Sequence, residues 1–234
     1  FNQIKSIKIV GQNHAGAKYY FDDFSKKKTI AILSDNEFYK ESPLLSPVYY
    51  LKKSLDSKHN IKVGKIDNII KQEFSTIIIP ETGKILNEYN KQLNDWLLKG
   101  GTLIRFSGNS LVQEKSNFYP SQDTYSRIRN IEGQLTINNK LFISNFEKDS
   151  IFAGLQIPQD IIINKQLIFD TYSKQVNVLA KLNDNTPVVS MKKFGEGKII
   201  LFHIGANNDW SNLPISSLFP DMLNRVLLFS KNDN

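Results

Sequence analysis

LNDWLLKGGTLIRFSG, Leu93–Gly108, is the stretch on which the fold turns. Leu93, Trp96 and Leu97 share one side of a helix, and Leu86 and Tyr89 extend that side backwards, so the spacing predicts a helix over 86–99. Gly100-Gly101 stops it. Thr102–Phe106 then reads as a compact strand that opens into Ser107-Gly108-Asn109-Ser110. A helix that runs through a Gly-Gly stop into an apolar strand is half of a βαβ crossover, and such crossovers build parallel sheets.

The same rhythm continues on both sides. Upstream, Thr29–Leu33 is a short apolar run ending at Ser34-Asp35, as expected for a strand buried on both faces. Pro47 sits at a helix start, with Val48, Leu51 and Leu55 at helical spacing, and Ile61–Val63 reads as a second strand. Phe74–Ile79 is the clearest buried strand, closed by Pro80, which cannot continue a central ladder. Downstream, Gly197–Ile204 is another buried strand, the loop 205–214 follows it, and Ile215–Phe229 closes the chain as a helix with Leu218, Met222, Val226 and Phe229 inward.

Between these halves the rhythm breaks. Strand candidates at 133–137, 141–143, 161–163, 166–169, 176–180 and 188–191 alternate with the turn signals Asn138-Asn139, Asn183-Asp184-Asn185 and Gly195-Glu196-Gly197. At the start, Ile4–Val10 and Ala17–Phe21 alternate with a period of two around a glycine turn. The expected architecture is an α/β fold, a flavodoxin-like parallel sheet with an antiparallel β elaboration. It divides into an N-terminal β arm at 1–27 and an α/β domain at 28–234, with a β-rich insertion at about 111–190.

Composition narrows the function classes. The chain has 234 residues, 40% of them hydrophobic, which suits a globular domain with a sizeable core rather than a disordered one. No apolar run approaches the roughly 20 residues needed to cross a bilayer. Phe1–Lys5 carries neither an initiator Met nor an apolar leader, so we expect the sequence to start inside a longer protein, with any anchor outside it. There is no cysteine, hence no disulfide, no thiolate metal site and no cysteine nucleophile. The net charge of +7 invites a polyanion partner, yet the lysines are spread along the chain, with Lys26-Lys27-Lys28 the densest run, and no nucleic-acid module is visible. Specific nucleic-acid binding is not expected. A weaker contact of the excess lysine with a polyanion or membrane surface is kept as a third reading, to be decided by whether the lysines share a face.

A family resemblance enters at three places. Leu93–Gly108 is similar to the stretch leading to the nucleophile elbow of class I glutamine amidotransferase-like domains. GEGKIILFHIGANNDWSNLP, Gly195–Pro214, resembles the late strand of that fold, where active members carry Phe-His-Pro-Glu. SIFAGL (Ser150–Leu155), with AGAKYYFDDFSKKK (Ala15–Lys28), resembles a narrower group: bacterial membrane-anchored proteins with an aerotolerance-regulator-type N-terminal membrane segment and an amidotransferase-like soluble region. In that family the nucleophile is a Cys on the turn after the Gly-Gly strand. Ser107 stands nearest to it here, with glycine one residue later instead of two, while the family's base aligns with His203 and its orienting Glu falls on Gly205. The resemblance therefore implies a degenerate, non-catalytic domain, without cofactor, that binds or scaffolds within a larger protein. Its partners would be other segments of that protein or separate proteins. It also implies a soluble domain of an inner-membrane protein, on the periplasmic side in preference to the cytoplasmic one.

The residues themselves leave an alternative open, a Ser/His-dependent hydrolase using Ser107 and His203, with Asp209 as the orienting acid if its loop folds back. Against it, the turn lacks the Gly-x-Ser-x-Gly pattern of a serine elbow. Metal binding is not expected, since His14, His59 and His203 are isolated and Asp22-Asp23 reads as a solvated turn. Asp35 and Glu37 differ, because they follow the first parallel strand at the edge where open α/β sheets hold ligands. The expected crevice gathers Ser34, Asp35 and Glu81 with Ser107 and Asn109. His203 and the loop residues Asn207, Asp209 and Trp210 complete it around an unidentified small molecule or peptide.

Overall fold

A computed structural model of the chain describes residues 6–12, 14, 17–20, 29–34, 43–72, 74–80, 89–109, 118, 126–131, 140–170, 172 and 174–229. The elements are β1 (Ser6–Lys8), β2 (Lys18–Tyr20), β3 (Thr29–Leu33), α1 (Pro47–Leu55), β4 (Asn60–Gly64), α2 (Ile66–Ile69), β5 (Thr76–Ile79), α3 (Asn90–Leu98) and β6 (Thr102–Phe106). They continue with β7 (Ser126–Asn130), β8 (Lys165–Phe169), β9 (Val176–Lys181), β10 (Pro187–Phe194), β11 (Gly197–Phe202) and α4 (Leu218–Phe229).

The main sheet has seven strands in the order β4-β3-β5-β6-β11-β10-β9. Its first five are parallel, and β10 and β9 extend it antiparallel. Helices cover both faces, so the parallel strands are apolar on both sides and alternate residues feed two cores. Ile30, Ile32, Ile78, Ile104, Phe106, Ile200 and Phe202 pack with α1 and α4. Ala31, Leu33, Ile77, Ile79, Leu103 and Ile199 pack with α2 and α3. The Gly-Gly stop works as its chemistry suggests: Gly100 takes φ +100°, the left-handed backbone in which α3 ends. Gly197 opens β11 where a Cβ would stand 2.3 Å from the Leu97 carbonyl oxygen and 2.4 Å from that of Gly101, so helix and strand meet at a separation only glycine permits.

Several elements differ from the sequence expectation. The last helix begins at Leu218, because Leu213–Ile215 forms a single 3-10 turn around Pro214. The described part of the Gly-Gly helix is Asn90–Leu98, and 81–88 lie outside the described residues, as do 132–139 and the expected strand at 133–137. Segments 141–143 and 161–163 make isolated bridges rather than a ladder: Leu141 pairs with Ile163, while Ile143 reaches Leu182 and Ile163 reaches Ser211. The β-rich block has two fates. β9 and β10 complete the main sheet, whereas β7 and β8 form a separate two-stranded ribbon. β7 and the one-turn α2 carry no signal that the sequence reading used. The arm at 1–27 contains the antiparallel pair β1–β2, registered Ser6 to Tyr20.

Candidate functional site

The parallel strands all end on one edge of the sheet, and the loops that leave them enclose a crevice of about 210 Å³. Five of the residues expected there do line it: Ser107, Asn109, Asn207, Asp209 and Trp210. Pro47 and Pro80, at the starts of α1 and of the loop after β5, form one wall, and Lys165 at the start of β8 forms part of the other. Sequence reading missed Lys165 because a long-range strand pairing brings it there, and nothing near residue 165 announces that pairing. Ser34 ends β3 with its amide donating to the Gly64 carbonyl at 3.0 Å, and it does not line the crevice. Asp22, Asp23, Asp35, Glu37 and Glu81 lie outside the described residues.

Ser107 follows β6 and is 2% exposed. Its amide donates to the carbonyls of Phe202 (3.1 Å) and Ile204 (2.9 Å), and its hydroxyl donates to the Phe202 carbonyl at 2.8 Å. All three bonds fasten the end of β6 to β11 or to the residues just past it. A serine elbow holds its nucleophile on a strained turn. Ser107 is not so held, since Asn185 is the non-glycine residue with positive φ among the described residues.

His203 continues β11 and is fully buried. Its Nδ1 lies 2.9 Å from the Leu167 carbonyl oxygen, which only accepts, so Nδ1 carries the proton. Nε2 is then the acceptor, and the Ser190 hydroxyl on β10 donates to it at 2.7 Å. The backbone is bound as firmly: the Leu167 amide donates to the His203 carbonyl at 2.8 Å, and the His203 amide to the Val188 carbonyl at 2.9 Å. Phe169 and Tyr172 stand around the ring with centroids 5.8 and 6.1 Å away. Burial penalises the imidazolium and takes the His203 pKa down to about 4, against a small opposing effect of the Leu167 bond. His203 is a neutral interior histidine with both ring nitrogens engaged, and it does not bond Ser107.

The loop after β11 is held by its own polar groups. The Asn207 side-chain amide donates to Asp209 at 2.8 Å, so the Asp209 carboxylate turns to its neighbour rather than to His203. Trp210 is 4% exposed and packs with Leu167, Phe169 and Leu201, which makes it a lid on the core. Its carbonyl accepts from the amides of Asn164 and Lys165, tying the loop to the entry of β8. Gly205, where a family glutamate would stand, has Asn207 Oδ1 3.2 Å and Trp210 Cγ 3.6 Å from the place of a Cβ. His14 bonds Gln12 and His59 bonds Asn224, and no cluster of metal-ligating side chains exists among the described residues. A second hollow, about 360 Å³, lies between 144–151 and β9, where none of the expected site residues reaches.

No protein-family model matches the chain, and no curated protein matches it. Solved structures do. The cytoplasmic protein STM3548 from Salmonella typhimurium is 13% identical with a TM-score of 0.60, over 86% of this chain and 98% of that one. The cytoplasmic protein STM1381 from Salmonella typhimurium LT2 is 16% identical with a TM-score of 0.57, over 87% and 100%. A variant of Gan42B, a GH42 β-galactosidase from G. stearothermophilus, is 12% identical with a TM-score of 0.53, over 88% of this chain but 30% of that one. At such identities the likeness concerns the fold alone: a mostly parallel seven-stranded sheet with antiparallel hairpins, the class I glutamine amidotransferase-like fold. No helix among the described residues is long and apolar enough to cross a membrane.

Proposed function

We propose that this chain is a non-catalytic, degenerate amidotransferase-like domain that binds or scaffolds within a larger protein, its crevice holding a small ligand or a short peptide segment. The observation that carries this reading is the state of His203. A base must reach the nucleophile's proton, and here Nε2 accepts from Ser190 while Nδ1 donates to Leu167. Ser107 spends its hydroxyl on Phe202, no cysteine is present to replace it, and Gly205 offers no acid. What the crevice does offer is recognition: Lys165, Asp209 and two asparagine amides beside the buried Trp210. The membrane-anchored setting and the periplasmic side rest on the resemblance of Ser150–Leu155 and Ala15–Lys28, and we retain them as part of the proposal.

Steady-state hydrolysis of glutamine and of a chromogenic ester by the purified chain tests the reading. Rates at buffer background, unchanged by Ser107→Ala, are expected. Turnover abolished by Ser107→Ala would restore the hydrolase.

A further inference from the structure

β4 is an outermost strand of the main sheet, with α1 before it and α2 after it packed into the cores on its two faces. Residues 52–72, which run from the last turn of α1 through β4 to just past α2, hold six lysines against two aspartates. Lys52 and Lys53 lie in the last turn of α1, Lys58 in the turn before β4, Lys62 in mid-strand, Lys65 at the strand's end and Lys71 after α2. All six are exposed, and so are Asp56 and Asp67. Among the described residues none of the six is ion-paired; Lys62 donates to the Gln72 side chain at 2.8 Å, and Lys53 lies 5.8 Å from the Tyr49 ring centroid. The six are spaced over 20 positions of sequence, and the fold sets all of them on the one segment that builds this edge of the sheet.

We propose that this lysine-bearing edge docks the domain on an anionic phospholipid surface. The composition of the cluster decides between polyanions. Its cations are all lysine, with no arginine and no Phe, Tyr or Trp in 52–72, and the ring of His59 is engaged with Asn224. Readers of nucleic acid use arginine forks and stacked rings, whereas a bilayer surface asks only for a concentration of positive charge, which four to eight lysines supply. The edge also lacks an apolar wedge: Leu55, Ile66 and Ile69 are buried, so contact is through charge and not through insertion. Attraction of that kind fades beyond a Debye length, about 8 Å at physiological salt, and falls steeply as salt rises. The edge is built independently of the crevice, and either proposal can fail without the other.

Co-sedimentation of the chain with vesicles of mixed phosphatidylglycerol and phosphatidylcholine tests it, with pure phosphatidylcholine vesicles and a nucleic-acid duplex as the other arms. Binding to the anionic vesicles, absent from the neutral ones and weakened by salt, is expected. At about fivefold per lysine, the triple variant Lys58→Gln/Lys62→Gln/Lys65→Gln weakens it on the order of a hundredfold. The triple Lys140→Gln/Lys174→Gln/Lys193→Gln, which removes the same charge elsewhere, leaves it within a few fold. Circular dichroism confirms that both triples remain folded. Equal weakening by both triples would reduce the effect to net charge and overturn the proposal, as would failure to bind anionic vesicles. Tighter binding to the duplex at the same salt, lost in the first triple, would hand the edge to nucleic acid instead.

Discussion

His203 shows how burial and hydrogen bonding set the chemistry of a histidine. A histidine at the end of a parallel strand is placed to act as a base, yet the ring is shut in by Leu167, Phe169 and Tyr172 and bonded at both nitrogens. Its depressed pKa makes a thermodynamic prediction. The folded state favours the neutral ring, so the stabilisation is complete above the unfolded value of 6.5 and is lost as pH falls toward about 4. Over that window the contribution is on the order of 3 kcal/mol. Denaturant titrations at stepped pH should show His203→Gln to be less sensitive to acid than the parent, by an amount of that order. Equal pH slopes would mean that the ring ionises freely in the fold. Ser107→Ala makes a second, smaller prediction. It removes one hydroxyl bond to a carbonyl that keeps the Ser107 amide, so about 1 kcal/mol should be lost in the same titration.

Among the elements, the β7–β8 ribbon explains most about the site. It lies over β11 where a catalytic histidine would need to be open, and a polar latch holds it there. Gln166, fully buried, donates to the Pro187 carbonyl at 2.8 Å and to the Thr186 hydroxyl at 3.0 Å, and accepts from Arg129, which reaches on to Asp184 at 2.6 Å. Burial raises the Asp184 pKa, but the bonds from Thr186 and Arg129 outweigh it and hold the carboxylate below its ordinary value. Gln166→Leu strands the Pro187 carbonyl and part of the Arg129 guanidinium. It should cost roughly 2–3 kcal/mol and speed hydrogen exchange at the Leu167 amide, which bonds His203, more than at the Ile104 amide in the sheet centre. Uniform acceleration would show a global loss instead of an opened ribbon.

The same ribbon marks the limit of what the sequence disclosed. The parallel strands were legible because burial on both faces leaves unbroken apolar runs such as Ile77–Ile79 and Ile199–Phe202. The Gly195-Glu196 hairpin was legible too, since Gly195 takes φ +59° at the first turn position. β7, Ser-Arg-Ile-Arg-Asn, has one apolar residue in five, and its partner lies some 39 positions on, from Ser126 to Lys165. Local periodicity carries no information about such a pairing. Of the crevice, the loop residues were found from their places after strands. Lys165 was not, because only the ribbon's return path brings it there.

At the scale of the whole molecule, two surfaces share one sheet. The strand ends form a small polar crevice lined in part by Trp210, and the segment around β4 carries six exposed lysines. On the proposed binding role, hydrolysis assays should find the domain inert.

The state of the His203 imidazole tests that account most directly, and nitrogen-15 NMR of the labelled ring followed against pH reads it. The account predicts a ring that is neutral and protonated at Nδ1 around neutral pH, with Nε2 an acceptor, and that titrates only near 4. A ring that titrates near 6.5, or that carries its proton on Nε2, would contradict it and return His203 to the candidates for catalysis.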